Sequence, residues 1–478
     1  MISPILKGRR AAARLVAAAM VSGLAAVGGV ATAGPAAADD AQPGQGGATA
    51  TLDGLKVYDQ AVVHERGGKH RIKAGLFSLT VGKGSGTIQT YCIDLHTHTR
   101  PKATYQEKPW SATSLGRNPD AGKIKWILQN SYPQVKDLSA LAAKAHSGRL
   151  TAKTAAAGTQ VAIWRFSDRA DVTAVDPAAE KLADYLQRSA RTLEEPKASL
   201  TLDPPAVSGK SGDRLGPVTV HTNADRVTVT PGSGAAASGV KVVDKNGQPV
   251  TSAANGTELY FDVPAGAAEG STSLTATVTT RVPVGRAFAS QTRSQTQILA
   301  GSTVSTVTAT ATANWAKKGP IPALSAEKDC AEGGVAVTAS NEGDEAFTFE
   351  LAGQKHTVEA GASKTITVPV AEDQAYKFTI TGPNGFEKTF SGVLDCKTAG
   401  TTGGGGVPTP QPSTGQPSAQ PSAASAGGAA AATTGGNLAE TGSSSNTPVI
   451  VGVAVGLVVV GGAAVFFVRR KKAGTRSE

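Results

Sequence analysis

The sequence predicts a multidomain protein with an α+β domain, two all-β sandwich modules, a disordered linker and one C-terminal transmembrane helix. Three observations lead to this fold class. Residues 50–196 mix β-rich runs with apolar helical patterns, whereas residues 197–316 and 324–398 consist of short Val/Thr-rich runs separated by turn residues. Beyond residue 398 the chain becomes low in complexity and then continuously apolar.

The first 38 residues have the pattern of a signal peptide. A basic start is followed by small apolar residues at 15–30, and Ala36-Ala37-Ala38 offers a small-residue cleavage site. The cations of the basic start are Lys7, Arg9, Arg10 and Arg14. Export matters for the chemistry, because disulfides persist outside the cell.

The positive net charge belongs to the two ends of the chain. The formal charge is +10, of which the signal segment contributes +4 and residues 443–478 contribute five cations against one Glu, so 10 − 4 − 4 leaves +2 for the middle. The sequence therefore predicts no nucleic-acid partner.

In the α+β domain, residues 74–81 and 87–93 are β-rich runs joined by a Gly-rich stretch that is typical of a hairpin loop. Apolar residues at helical spacing predict helices around Ile124 and Leu128 and over residues 151–166. Asp176-Pro177 is an N-terminal signal for a further helix.

The two following modules show the period of β-strands, with alternating runs such as residues 226–230, 273–278 and 364–368. Many short strands with regular turn signals predict immunoglobulin-like sandwiches that act as a stalk. Cys330 precedes the first strand of the smaller module and Cys396 follows its last. A disulfide between them would close that module and stabilise it by roughly 4 kcal/mol.

Cys92 is then left without a thiol partner. An odd cysteine in an exported protein suggests an intermolecular bridge, a reactive thiol or another covalent use. Gln160 offers the third option, because a thiolate held against a carboxamide can expel ammonia and leave an internal thioester. Fixed geometry is what lets two weak reactants behave as if they were highly concentrated.

The stretches Tyr91-Cys92-Ile93-Asp94 and Thr159-Gln160-Val161-Ala162-Ile163-Trp164 resemble the paired motifs of bacterial thioester domains, the adhesin tips of Gram-positive surface proteins. The resemblance covers about residues 50–195. It implies that Cys92 and Gln160 form the thioester bond, with Tyr91 and Trp164 supporting it. It also implies that the thioester captures an amine on a target surface, forming an amide and freeing the thiol.

Other uses of Cys92 are a cysteine-nucleophile enzyme, a metal site or an inert buried thiol. Asp94, His96 and His98 follow Cys92 at alternate positions, but zinc sites usually draw ligands from two separated clusters and the sequence has no second one. A Cys-His hydrolase would need a distant His with an orienting group, and no such pair is indicated. Asp94 or His96 is also a candidate for assisting proton transfer during amine attack.

The C-terminal segments predict an anchor in the cell wall. Residues 399–437 form a Pro/Gly/Ser/Thr-rich linker, residues 448–468 an apolar span, and residues 469–478 a basic cytoplasmic tail. Between the linker and the span stands Leu438-Ala439-Glu440-Thr441-Gly442, which is similar to the sortase sorting motif of actinobacterial, Streptomyces-like surface proteins. This similarity implies that a sortase cleaves after Thr441 and joins it to peptidoglycan.

These observations together predict a secreted, peptidoglycan-anchored adhesin that captures an amine, usually from Lys, on an unidentified surface partner. We expect a single-use electrophile and not an enzyme, with no cofactor, no metal site and no catalytic residues. The alternatives are a stalk protein that binds its partner non-covalently and a wall-bound cysteine hydrolase.

Overall fold

A computed structural model describes residues 46–82 and 84–397 of the chain. Among these residues, no helix is both long and apolar enough to cross a membrane. Five predicted segments lie outside the described residues: the signal peptide (1–38), the linker (399–437), the sorting motif (438–442), the apolar span (448–468) and the basic tail (469–478).

The first part of the described chain is an α+β region, as the sequence predicts. Its strands are β1 (Thr49–Glu65), β2 (Gly68–Val81), β3 (Gly86–Cys92), β4 (Thr104–Lys108) and β5 (Val172–Ala174). Its α-helices are α1 (Ala121–Gln129), α2 (Leu138–Ala145), α3 (Ala152–Ser167) and α4 (Pro177–Ser189), and two short 3₁₀ helices cover Trp110–Ala112 and Ser114–Arg117. The predicted hairpin between β2 and β3 is present, since Val81 pairs with Gly86.

Three of the four α-helices of this part begin at residues whose side chains accept from free backbone N–H groups. Thr151 and Thr154 form a reciprocal capping box at the start of α3. Asp176 caps α4, with Pro177 in the first turn, as predicted. Asp137 caps α2, a helix that the sequence pattern did not predict. These caps fix where each helix starts before tertiary packing buries its apolar face.

The second part is almost entirely β-structure. Its elements are β6 (Leu200–Asp203), β7 (Ala206–Lys210), β8 (Arg214–Thr222), β9 (Val227–Pro231), α5 (Ser233–Ser238), β10 (Lys241–Val243), β11 (Ser252–Ala253), β12 (Glu258–Asp262), β13 (Gly270–Arg281), β14 (Ala287–Ser290), β15 (Gln297–Ser302) and β16 (Val304–Ala316). Within the described chain, two sheets have the strand orders β10-β12-β8-β6 and β11-β9-β13-β16-β7. Alternate residues of β13, such as Leu274 and Ala276, are buried between threonines, as a half-buried strand requires.

Strands β14 and β15 leave this module and enter the first sheet, which is a difference from the predicted boundary at residue 196. The order of the first sheet is β2-β3-β15-β14-β4-β1-β5, and β1 also pairs with β2. The strands β1-β2-β3-β15-β14-β4 therefore close into a ring of antiparallel pairs. The α+β region thus needs residues from 287 onwards to complete its sheet.

The third part contains β17 (Pro322–Asp329), β18 (Gly334–Asn341), β19 (Phe347–Leu351), β20 (Gln354–Val358), β21 (Ala362–Pro369), β22 (Ala375–Thr381), a 3₁₀ turn (Pro383–Gly385) and β23 (Glu387–Val393). The strands form the sheet β17-β18-β21 and two hairpins, β19-β20 and β22-β23. They share their own buried core, which includes Val335, Val337 and Phe347. The predicted disulfide between Cys330 and Cys396 is confirmed.

Candidate functional site

Cys92 is the last residue of β3 and lies inside the protein. Its strand pairs with β15, so that Cys92 stands opposite Gln297. The residue has no exposed surface, and its thiol is free while the other two cysteines are bridged. The Cys92 sulfur is therefore held on a strand that is hydrogen-bonded on both sides, by β2 and by β15.

Gln160 lies in the middle of α3, and its carboxamide is bonded to the backbone of Cys92. The Cys92 N–H donates to Gln160 Oε1 at 3.0 Å, and Gln160 Nε2 donates to the Cys92 carbonyl at 2.8 Å. Both residues are fully buried. The structure thus brings together the two residues that the sequence predicts as thioester partners, although they are 68 positions apart. The two bonds fix the carboxamide beside the thiol-bearing residue.

The position of α3 depends on close packing against α4. A Cβ atom at Gly158 would stand 2.4 Å from the Ala179 carbonyl oxygen, so only glycine permits this approach. Residues 154–164 of α3 are buried, and the Thr159 hydroxyl is satisfied inside the helix by donating to the Ala155 carbonyl. The helix therefore presents Gln160 from a rigid, water-free environment.

Tyr91 and Trp164, the predicted supporting residues, both lie in the buried core. The Tyr91 hydroxyl donates to the Tyr132 carbonyl at 2.7 Å, which ties β3 to the segment after α1. The Trp164 indole Nε1 has no hydrogen-bond partner among the described residues. It nevertheless interacts with the Cys92 thiol and acts to lower the pKa of that thiol.

The surroundings of the Cys92 thiol disfavour its charged form, the thiolate. Burial raises the pKa of Cys92 well above its ordinary value, and the carboxylates of Asp168 and Asp94 raise it further. The Trp164 indole and the Asp94 N–H, which donates to Cys92 Sγ at 3.2 Å, only partly offset this. A bare thiolate is therefore an unstable species in this site.

Two buried aspartates flank the sulfur. Asp168 ends α3 and accepts hydrogen bonds from the Leu95 N–H and the Ser167 hydroxyl at 2.8 and 2.6 Å. Burial raises its pKa to about 6. Burial also raises the pKa of Asp94 well above its ordinary value, with further contributions from Asp395 and Asp168. The site thus contains carboxyl groups that hold protons more strongly than carboxyl groups in water.

The connection between β14 and β15 covers the segment that follows Cys92. The Ile93 N–H donates to the Thr296 carbonyl at 3.1 Å, and Gln295 Nε2 donates to the Asp94 carbonyl at 3.0 Å. Ser294 and Gln295 also bind the Tyr105 hydroxyl. Sequence reasoning missed these residues, because nothing local distinguishes residues 291–296 from an ordinary turn in a sandwich module.

The third part of the chain contacts the connection between β14 and β15. The Thr296 hydroxyl donates to Asp395 Oδ2 at 2.6 Å, and Arg293 pairs with Asp373 at 2.7 Å. Asp395 immediately precedes the bridged Cys396. The disulfide-closed end of this module therefore packs on the residues that cover the Cys92 segment.

His96 and His98 follow Asp94 along the chain. His96 Nδ1 lies 3.5 Å from Glu65 Oε1 and is partly exposed. Within residues 46–82 and 84–397, no group of three or more His, Cys, Asp and Glu side chains is arranged to hold a metal ion. The contact between the Gln160 carboxamide and Cys92 is the chemical feature that the structure shows in this region.

Two segments of the chain match known families. Residues 89–192, which include Cys92 and Gln160, match the family model of the thioester domain. Residues 322–393, which span β17 to β23, match the model described as bacterial phospholipase C, C-terminal domain. No curated protein matches the chain.

Several solved structures are similar to parts of the chain. The Bacillus anthracis TIE protein is 16% identical, with 73% of this chain and 81% of that chain covered and a TM-score of 0.26. The thioester domain of the Enterococcus faecium TIE86 protein is also 16% identical, with coverages of 56% and 97% and a TM-score of 0.26. The CsuC-CsuE complex of Acinetobacter baumannii is 10% identical, with coverages of 41% and 98% and a TM-score of 0.16.

Proposed function

We propose that this protein is a covalent adhesin in which Cys92 and Gln160 form an internal thioester that captures an amine on a target surface. The observation that carries the proposal is the pair of hydrogen bonds, of 3.0 and 2.8 Å, that hold the Gln160 carboxamide against Cys92 inside a dry core. The match of residues 89–192 to the thioester domain model supports the same chemistry.

The bond forms without a cofactor. The Cys92 sulfur attacks the side-chain carbonyl carbon of Gln160, the carbon–nitrogen bond breaks, and the thiol proton passes to the departing nitrogen, which leaves as ammonia. Fixed geometry lowers the barrier to this reaction, because the two groups are already in place and little water has to be reorganised around them. The product is an electrophile stored inside the protein.

Capture consumes the thioester. A primary amine, for example a Lys side chain on the partner, attacks the Gln160 carbonyl carbon, the carbon–sulfur bond breaks, and the Cys92 thiol is released. The amide that remains joins Gln160 to the partner permanently. We therefore propose a single-use reagent and not a turnover enzyme.

We propose that this reagent is carried on a cell surface. We propose that the segment at 1–38 directs export and that a sortase joins Thr441 of the sorting motif to peptidoglycan. The linker at 399–437 would then separate the folded modules from the wall. Sortase and peptidoglycan are the partners of anchoring, and the amine-bearing surface molecule is the partner of capture.

Intact mass measurement of the purified protein tests the thioester. We expect the wild-type protein to be lighter than its sequence mass by one ammonia, to gain methylamine on incubation, and to resist thiol reagents until then. The Gln160→Ala variant should lose all three properties, because it has no carboxamide to attack. The matched variant Gln248→Ala, at an exposed position in the second module, should keep them.

Other results would favour the alternatives. A wild-type protein of full mass whose Cys92 reacts freely with thiol reagents would support non-covalent binding by the tip. If that protein also cleaved peptide or ester substrates, and Cys92→Ala abolished the cleavage, the hydrolase would be supported.

A further inference from the structure

Asp94 is the buried group at the site that thioester formation leaves unexplained. Its N–H donates to Cys92 Sγ at 3.2 Å, so the residue turns back towards the sulfur directly after β3. The residue is only 2% exposed, and Oδ2 has no hydrogen-bond partner within the described residues. An unpaired carboxyl oxygen in a dry core is costly unless it carries a proton or serves a reaction.

The reaction has a need that such a group would meet. When an amine displaces Cys92, the sulfur must leave as a thiolate or as a thiol. Burial is the main cause that raises the pKa of Cys92 well above its ordinary value, so a departing thiolate is strongly disfavoured here. A proton delivered to the sulfur as the carbon–sulfur bond breaks removes this obstacle.

The surroundings of Asp94 keep a proton available. Burial raises its pKa first, and the neighbouring carboxyls of Asp395, Asp168 and Asp373 act in the same direction, whereas a hydrogen bond from Thr97 opposes them. Other charges act on those carboxyls: Lys328 and Arg293 favour the ionised form of Asp395, and His96 favours that of Asp168.

We propose that Asp94 is the general acid of amine capture and that the C-terminal module (residues 322–397) influences it through Asp395, which is bonded to Thr296. This inference rests on the proposed thioester. As the amine nitrogen bonds to the Gln160 carbonyl carbon, the carbon–sulfur bond breaks and the Asp94 carboxyl gives its proton to Cys92 Sγ. The amine loses one proton when it becomes an amide, and that proton restores Asp94.

The contact that brings Asp395 to the site is specific. Thr296 accepts the Ile93 N–H with its carbonyl and donates with its hydroxyl to Asp395 Oδ2 at 2.6 Å. Ile93 stands between Cys92 and Asp94, so one residue links the module to the reactive segment. The Arg293–Asp373 pair holds the same interface at 2.7 Å. The disulfide between Cys330 and Cys396 fixes the chain next to Asp395.

The test is the rate at which the full-length protein captures methoxyamine, an amine that stays unprotonated between about pH 5 and 9, where acid catalysis is measured. Rates are followed by intact mass, only in molecules that carry the thioester. For the wild type we expect a constant rate at low pH and a tenfold fall per pH unit once Asp94 ionises. Asp94→Asn should be about 100-fold slower at low pH and should show no such fall.

If Asp94→Asn forms no thioester, the variant Asp395→Asn tests the same role through the pH profile of the rate. Asp395→Asn removes a carboxylate that raises the pKa of Asp94, so the fall in rate should move to lower pH while Cys92 and Gln160 are untouched. Asp213→Asn, an exposed aspartate in the turn before β8, is the matched control and should leave the profile unchanged.

The outcomes separate this inference from the proposed function. A wild-type protein that never loses ammonia overturns the thioester itself. A wild-type protein that carries the thioester, together with an Asp94→Asn variant of equal rate and pH profile, overturns only the role of Asp94. A profile of Asp395→Asn that coincides with the wild type overturns the role of the C-terminal module.

Discussion

At the scale of residues, the site combines two weakly reactive groups with surroundings that decide what they do. The sequence alone was sufficient to predict that Cys92 lies beside Gln160. Cys92 is the cysteine without a disulfide partner, and Gln160 lies in a motif that resembles that of thioester domains. The sequence could not indicate that Asp168 and Gln295 contact the segment that follows Cys92. Their roles depend on burial and on hydrogen bonds to Leu95 and Asp94 that only the folded chain creates.

Asp168 predicts a pH dependence of stability. Its pKa is raised from 3.8 to about 6, so the folded state favours its neutral form and loses stability as the pH rises between these values. Relative to Asp168→Asn, we expect the unfolding free energy of the wild type to fall by about 2 kcal/mol from roughly pH 4 to pH 7. Urea unfolding of both proteins at several pH values measures the difference.

The control for this experiment is an aspartate that is not buried. Asp213→Asn should follow the wild type within error at every pH, because that side chain is exposed. A constant difference between the wild type and Asp168→Asn across the range would contradict the raised pKa.

At the scale of elements, α3 is the support that determines where Gln160 lies. The helical pattern of residues 151–166 predicted this helix, and its capping box and buried face account for it. The packing requirement at Gly158 was not predictable. A glycine within a helical pattern has no local meaning until the backbone of α4 is known to pass beside it.

Substituting Gly158 should therefore disturb the site through the helix. In Gly158→Ala, the added Cβ would meet the Ala179 carbonyl oxygen at 2.4 Å, so α3 and α4 must move apart. We expect the free energy of unfolding to fall by about 1–3 kcal/mol and a smaller fraction of molecules to carry the thioester. Denaturant unfolding and intact mass measure the two effects.

Gly67→Ala is a matched control in the same part of the chain. Gly67 lies in the turn between β1 and β2, its added Cβ would meet no atom within 4 Å, and its backbone is not in the left-handed region. This variant should resemble the wild type in stability and in thioester content. Equal behaviour of the two alanine variants would show that α3 tolerates displacement.

At the scale of the whole molecule, the α+β region and the following β module share one sheet. The alternation in residues 273–278 predicted a sandwich strand and β13 confirms it, but β14 and β15 have the same local texture and belong elsewhere. Long-range strand pairing leaves no local signal in a sequence. The boundary at residue 196 therefore followed composition, whereas the closed ring of strands depends on residues 287–302.

This topology predicts that the α+β region does not fold by itself. A fragment of residues 46–196 lacks β14 and β15, so β3 and β4 would become open edges and Cys92 would lose the strand that lies beside it. We expect the fragment to unfold without a cooperative transition and to keep its full mass. A fragment of residues 46–397 should unfold cooperatively and lose ammonia.

Circular dichroism during heating and intact mass compare the two fragments. Cooperative unfolding of the short fragment, together with loss of ammonia, would mean that the second module is dispensable for the site. In that case the pairing of β15 with β3 would be a consequence of assembly and not a condition for it.

The pairing of Cys92 with Gln297 also has a consequence for a molecule under mechanical force. If the protein is tethered at its C-terminus and bonded to a partner through Gln160, tension runs from the β modules towards α3. Because β15 is hydrogen-bonded along β3, this pull arrives at the strand beside the reactive residue and does not pass only through the connection after α4. The strand pair β3–β15, which lies beside the residue that would form the covalent bond, would then also carry the tension.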